Sequence, residues 1–314
     1  MKPSATGEIG VPPAAPEPPG SGRDPGTADG FRGPTWMGPA PPPAPRRLGP
    51  ADWARIVARG LPVAAVLFGG LAVLLLVRAA EAPLAGRRRP VSGAIPPLAF
   101  AAACRLIGLR RRVRGRPMSG IGAAVANHAS WLDILALGAA DRVLFVAKAE
   151  VAGWPGIGWL ARGAGTLFFR RDRAEAARQT SILAACMQAG QRPLIFPEGT
   201  SSDGQRVLRF KPTLFAAFFE QSLKDHAQVQ SITVKYTAPP GRDPRLYAWW
   251  GAQDFAPHLV QVLAEPRQGR VDVVFHPPRR VADHADRKGL AAACEADVRA
   301  GLHAPGDRES PHRS

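Results

Sequence analysis

His128 and Asp133, five positions apart in Asn127-His128-Ala129-Ser130-Trp131-Leu132-Asp133, are the residues of this chain best suited to moving a proton. Imidazole titrates close to neutral pH, so a histidine beside a carboxylate can take a proton from a hydroxyl. The spacing constrains the geometry. Five residues along an α-helix turn the side-chain direction by about 140°, so in one continuous helix the two groups would point apart. They meet only if the chain turns between them. Asn127-His128 is therefore expected in the loop after a strand ending at Ala126. Ser130 then serves as helix N-cap, and Asp133 lies in the first helical turn, where a carboxylate also suits the helix dipole. This places the pair at the C-terminal edge of a parallel strand, where α/β folds hold ligands. With Asp133 accepting from one ring nitrogen, the other is left for the proton. A second constellation, Phe196-Pro197-Glu198-Gly199-Thr200, lies downstream.

The elements that must position these groups follow from the texture of the chain. Short apolar runs at 122–126, 143–147, 166–169, 193–196, 230–236 and 270–275 read as strands. Helical patterns at 131–139, 158–163, 174–189, 213–223, 258–263 and 288–302 lie between and after them. This alternation predicts an α/β domain over residues 118–303, with a mostly parallel sheet flanked by helices. Residues 1–50, rich in Pro and Gly, have little apolar surface to offset the entropy of ordering and are expected to form a disordered leader. Residues 304–314 read as a flexible polar tail.

Before the α/β texture begins, residues 60–77 contain no charged side chain. As a helix they span about 27 Å, just short of the hydrocarbon core of a bilayer. Arg59 and Arg78 bracket the run and are placed to snorkel to headgroups. The region 55–80 is predicted to be a transmembrane helix. Residues 98–109 are too short to span, and 81–117 reads as a basic interfacial helix region. The net charge of +16 would suit nucleic acid, an anionic membrane or an acidic protein. The arginines cluster beside apolar segments, at Arg87-Arg88-Arg89 and at Arg110-Arg111-Arg112, Arg114 and Arg116, which favours an anionic membrane. No helix-turn-helix, zinc-finger or aromatic RNA-binding signature accompanies them, so no nucleic-acid partner is expected. The heavier arginine density after the apolar run leads to the expectation that the segment following it lies on the cytoplasmic side, with the chain held at the cell inner membrane by a single pass or peripherally. Cys104, Cys186 and Cys294 show no paired spacing, so neither a disulfide framework nor a metal site is expected. No Gly-x-Ser-x-Gly elbow, Walker motif or dinucleotide glycine motif is present.

The pattern Asn127-His128-x-Ser130-Trp131-x-Asp133-Ile134 resembles the first motif of the 1-acylglycerol-3-phosphate acyltransferase family, the broad group of lysophospholipid acyltransferases. Gly165-Thr166-Leu167-Phe168-Phe169-Arg170-Arg171 is similar to the second motif of that family. Phe196-Pro197-Glu198-Gly199-Thr200 is similar to the third, and Phe210-Lys211 to a basic pair that often follows it. The resemblance covers roughly residues 95–280. It implies a lysolipid acceptor and an acyl thioester, acyl-ACP or acyl-CoA, as co-substrate, with no cofactor and no metal. It implies His128 as general base and Asp133 as the group that orients it. It further implies that Glu198, Gly199 and Thr200 shape the acceptor pocket, that Arg170 or Arg171 lies near an anionic headgroup, and that Asn127 and Lys211 belong to the substrate-binding set.

Two positions depart from the family pattern. Ser201 stands where an arginine suited to phosphate is common, and Gln230-Ser231-Ile232 where a proline is often found. With Ala248-Trp249-Trp250-Gly251 and Pro257-His258-Leu259, the serine-rich version looks like the lyso-ornithine-lipid branch. Lysophosphatidate stays open as acceptor, since Arg206, Arg209 or Lys211 could supply the positive charge. Two other classes also predict lipid contact: a non-catalytic membrane lipid-binding protein, and a hydrolase in which His128 activates water. His258, His276 and His284 lack ligand spacing and read as surface or capping residues.

Overall fold

Gly122–Ala126 is buried along its whole length, as the uninterrupted apolar run Gly-Ala-Ala-Val-Ala requires of a central strand covered on both faces. The computed structural model of the protein describes residues 31–32, 35–85, 90–170, 172 and 174–304. Its elements in chain order are β1 (Phe31–Arg32), β2 (Thr35–Trp36), α1 (Pro50–Ala85), α2 (Ile95–Ile107), β3 (Arg110–Arg114), β4 (Gly122–Ala126), α3 (Leu132–Gly138), β5 (Leu144–Lys148), α4 (Ile157–Gly163), β6 (Leu167–Phe169), α5 (Ala176–Gln188), β7 (Pro193–Ile195), β8 (Gln228–Thr237), α6 (Phe255–Ala264), β9 (Arg270–Phe275), β10 (Arg279–Arg280) and α7 (Arg287–His303). The main sheet runs β3-β9-β8-β4-β7-β5-β6, with β10 paired to the start of β8. The pairs β8–β4, β4–β7, β7–β5 and β5–β6 are parallel, while β8–β9 is antiparallel.

Side-chain alternation divides the core between the two faces of the sheet. Ala124, Ala126, Ile232, Val234 and Tyr236 join one buried cluster with Ile107 of α2, Leu132 of α3 and Val262 of α6. Ala123, Val125 and Val229 join the other, with Met187 of α5 and Leu290, Cys294 and Val298 of α7. Asp286 bounds α7 by accepting from the N–H groups of Lys288 and Gly289, an N-cap of the usual kind. Gly122 is required where it stands: a Cβ there would lie 1.9 Å from the carbonyl oxygen of Gln228 on the neighbouring strand.

The structure corrects four expectations. First, the basic run Arg110–Arg114 is not the end of an interfacial helix but an edge strand, parallel to β9. Charged residues suit such an edge, because they discourage pairing with another chain. The α/β domain therefore starts at Arg110 rather than at 118. Second, the last part of the leader is packed on the domain. Trp36 is only 2% exposed and lies in a cluster with Leu208, Ala248 and Trp250. A single buried tryptophan brings some 150–250 Å² of contact area, which an average over a proline-rich window conceals. Residues 1–30 and the tail from 305 lie outside the described residues. Third, the helix expected at 213–223 is a 3₁₀ segment, Pro212–Phe219. Phe215 and Phe218, three apart, pack together inside it, as three residues per turn allow.

The fourth concerns Arg59. It does not reach for headgroups but donates to the carbonyls of Leu263 and Glu265, while Arg46 and Arg55 donate to that of Ala264. These carbonyls end α6, where no intrahelical partner exists and the helix dipole is negative. The three arginines thus fasten the start of α1 to the domain. Among the described residues α1 is the one helix long and apolar enough to cross a membrane, and its most apolar window is 6% buried. One side of it meets the protein: Gly60 faces Leu263, Gly70 faces Ala99 of α2, and Leu71 meets Gly163 of α4. Leu61, Val73, Leu75, Leu76 and Leu84 are exposed.

Candidate active site

Strands β4 and β7 are parallel neighbours, paired through Ala124–Leu194 and Val125–Ile195. Their C-terminal ends therefore bring Asn127-His128 and Phe196-Pro197-Glu198 side by side. After β4 the chain turns, and α3 begins at Leu132. The turn brings the dyad together, with His128 Nδ1 2.7 Å from Asp133 Oδ2. The same oxygen accepts from the N–H groups of Ala129 (2.8 Å) and Ser130 (3.0 Å). Ser130, expected as the cap of α3, contributes only a 3.3 Å contact to Leu132 N–H. Asp133 itself holds the turn, reaching back to two N–H groups from the first helical turn. The other carboxylate oxygen, Oδ1, accepts from the hydroxyl of Tyr236 at 2.7 Å. Asp133 is wholly buried, whereas the His128 side chain keeps 21% of its surface. Its ring stacks on Phe196, with centroids 4.1 Å apart and planes 19° from parallel. Nε2 is thus the ring nitrogen not committed to Asp133.

Glu198 is also wholly buried, and both its oxygens are occupied by backbone. Oε1 accepts from His128 N–H at 2.9 Å and Oε2 from Leu208 N–H at 3.0 Å. Ser202 N–H donates back to His128 carbonyl at 2.8 Å. Glu198 therefore clamps the loop after β4 to the loop after β7, and its carboxylate is not presented to a ligand. Burial pushes its pKa well above the usual carboxylate range, against the opposing effect of the two N–H donors; the charge of Asp133 adds to the rise. Glu198→Gln offers an amide N–H to one of the two backbone N–H groups and leaves a buried donor unpaired. It is expected to cost about 1–3 kcal/mol, seen as a drop in melting temperature of several degrees.

Asn127, placed by resemblance in the substrate-binding set, is fully buried, and its amide is used up by β8. Nδ2 donates to the carbonyl of Val234 and Oδ1 accepts from its N–H, both at 2.8 Å. It is a staple between the site loop and the sheet, because β8 runs on past its last pair with β4 at Ile232 and leaves the Val234 N–H and carbonyl for a carboxamide to match. Gly199 adopts φ +71°, and a Cβ there would meet Lys211 Nζ at 2.8 Å, so this glycine lets the lysine lie over the Pro197–Thr200 corner. Thr200 is nearly buried, and its hydroxyl lies 3.4 Å from Trp36 N–H. Ser201, Ser202 and Asp203 are buried beside it, with Asp203 paired to Arg206 at 3.1 Å. Arg206 in turn lies 5.5 Å over the Trp36 ring. Arg170 is exposed at the end of β6, three strands from β4, hence about 14 Å along the sheet edge. Arg171 lies outside the described residues.

On the far side of the His128 loop stands an aromatic wall. Trp249 N–H donates to Ala129 carbonyl at 2.8 Å. Trp131, Trp154 and Trp249 each pack on Phe255, at 5.5, 6.0 and 6.3 Å between ring centroids. His258 is not a surface residue but part of this wall, accepting at Nδ1 from Trp131 Nε1–H at 3.0 Å. Burial pushes its pKa down to about 4, only partly offset by the carbonyls of Leu246 and Ala248. A histidine kept neutral in the fold favours the folded state least at low pH, because the unfolded chain takes up the proton first. Stability from this group is complete above pH 6.5 and is lost as pH falls from there towards 4. Melting curves between pH 7.5 and 4.5 are expected to show less acid destabilisation in His258→Gln than in the parent, by at most about 3 kcal/mol.

Sequence reasoning missed Tyr236, Trp36 and the Phe196 stack. Only Phe196 carried a signal, as the first residue of the Phe196-Pro197-Glu198-Gly199-Thr200 motif; the other two depend on strand order and long-range packing.

Comparison with known proteins follows the same lines. A family model described as Acyltransferase matches residues 112–235. The lyso-ornithine lipid O-acyltransferase of Rhodobacter capsulatus is 53% identical over 270 residues, covering 86% of this chain and 97% of that protein. The 1-acyl-sn-glycerol-3-phosphate acyltransferase of Neisseria gonorrhoeae is 30% identical over 176 residues, covering 56% of this chain and 67% of that protein. The fold is similar to the crystal structure of the 1-acyl-sn-glycerophosphate acyltransferase PlsC from Thermotoga maritima. That likeness has a TM-score of 0.58 at 20% identity, over 82% of this chain and 98% of that one. With a relative more than half identical across nearly its whole length, the chain belongs to the acyltransferase family.

Proposed function

We propose that the protein transfers a fatty acyl group from a thioester, acyl-ACP or acyl-CoA, to the hydroxyl of a lyso-ornithine lipid, with His128 as general base. The observation that carries this reading is the closed His128–Asp133 contact of 2.7 Å, with Nε2 left over at the C-terminal edge of the sheet. The acceptor is assigned from the relative in Rhodobacter capsulatus, in keeping with Ser201 standing in place of a phosphate-binding arginine.

In this mechanism the acceptor hydroxyl gives its proton to His128 Nε2 as its oxygen attacks the thioester carbonyl. The tetrahedral intermediate collapses, the carbon–sulfur bond breaks, and the thiol leaves with the proton that His128 held. Asp133 stabilises the imidazolium in between. A placed base contributes about 10²–10⁴ in rate; the rest comes from holding the two substrates together and from donors to the oxyanion. Glu198, Gly199, Thr200 and Lys211 act by shaping the loop under the acceptor. No cofactor beyond the acyl donor is needed. The exposed apolar side of α1 holds the site at the cell inner membrane, with the α/β domain on the cytoplasmic side.

A second reading, lysophosphatidate as acceptor, is favoured by the cations Arg206 and Lys211 beside the serine loop. Both lysolipids, each offered in vesicles with the same labelled acyl thioester, separate the two. The expected product is the two-chain ornithine lipid, and a preference for lysophosphatidate of tenfold or more would overturn the acceptor assignment.

A further inference from the structure

We infer that Tyr236 is a positioning residue of the dyad: from the end of β8 its hydroxyl holds the Asp133 carboxylate on the side opposite His128 and so sets how that carboxylate meets the imidazole. The inference rests on the reading of His128 as general base and goes beyond it.

Strand β8 is longer than its neighbour. Its pairing with β4 ends at Ala126–Ile232, but the strand runs on to Thr237. The overhang lies alongside the site loop. Alternate residues of a strand share a face, and here the two that follow Ile232 on its face each hold the loop. Val234 takes the Asn127 amide through its backbone, and Tyr236 reaches Asp133.

Asp133 needs such a partner. Its Oδ2 already accepts three N–H donors, all from the turn between His128 and Ser130. Oδ1 accepts from the Tyr236 hydroxyl at 2.7 Å. Without it a wholly buried carboxylate oxygen would be left unsatisfied, or the group would rotate and spoil the bond to imidazole. Helix α3 is only seven residues long, so the helix alone does not hold Asp133 rigidly. Tyr236 is itself braced. Its ring packs on Tyr247 at 5.6 Å, and the Tyr247 hydroxyl donates to Gln268 Oε1 and accepts from Gly269 N–H. Burial and the adjoining charge of Asp133 keep the Tyr236 phenol protonated, hence a donor, throughout the working range. The other ionisable groups around the trio are Glu198 across the His128 backbone, Cys104 of α2, Tyr247, and His258 behind Trp131.

The test is the pH dependence of kcat/KM for acyl transfer in vesicles, measured on the parent, Tyr236→Phe and His128→Ala. Phenylalanine keeps the ring and removes the donor. A carboxylate that loses a donor presents more negative charge to the imidazole and favours its protonated form. The acidic limb is therefore expected to move to higher pH by about half a unit to one unit, with kcat down about tenfold and KM within twofold. Because the chain has only two tyrosines, biosynthetic replacement by 3-fluorotyrosine is a second variant that keeps the hydroxyl. It makes the phenol a stronger donor, and the limb is expected to move the opposite way. An unmoved limb in both variants, whatever happens to kcat, assigns Tyr236 to packing and overturns the inference while His128→Ala remains inactive. An active His128→Ala instead removes the general-base reading itself.

Discussion

Replacing His128 by alanine is expected to lower kcat by about 10²- to 10⁴-fold, the share that a placed general base supplies. Binding should change far less. The imidazole touches Asp133 and Phe196, whereas the loop around it is held by backbone bonds that alanine keeps: His128 N–H to Glu198 and His128 carbonyl to Ser202 N–H. Vesicle binding and the melting temperature of the variant should stay close to those of the parent. Loss of turnover together with loss of folding would mean that the ring matters as packing on Phe196.

Asp133→Asn is expected to reduce kcat by about tenfold to a hundredfold, the loss of one charge-assisted hydrogen bond to the imidazolium. The local geometry is expected to survive. An asparagine can turn its oxygen towards His128, Ala129 and Ser130 and its NH₂ towards Tyr236, whose hydroxyl rotates to accept. Two readouts separate charge from architecture: kcat falls, while the melting temperature moves by a few degrees at most. A variant with parental kcat would show that the carboxylate serves the turn alone.

Much of this site was legible because it is local. That His128 and Asp133 must be separated by a turn follows from helix geometry, and the structure closes them across the turn between β4 and α3. The six expected strands are all present, with ends moved by no more than two residues, since each is an apolar run bounded by polar or glycine-rich loops. The strand β3 was hidden because four of its five residues are arginine, a composition that edge strands tolerate and apolar patterning cannot detect. The roles of Asn127, Tyr236 and Arg59 were hidden for another reason. Each depends on which distant segment becomes a neighbour: β8 beside β4 for the first two, the end of α6 beside α1 for the third. Glu198 shows the same limit. Its motif was visible, but the sequence could not show that its carboxylate faces two backbone N–H groups instead of a ligand.

The central claim is direct transfer of an acyl group from thioester to lipid hydroxyl under general-base catalysis by His128. It is tested most directly by following the label of an acyl thioester through one turnover, with and without lyso-ornithine lipid, in the parent and in His128→Ala. The expected result is label passing into a two-chain lipid only when the lysolipid is present, none retained on the protein, and no transfer by the variant within the same time. Label released as free fatty acid without the lysolipid, label held covalently on the protein, or transfer by the variant at the parental rate would contradict it.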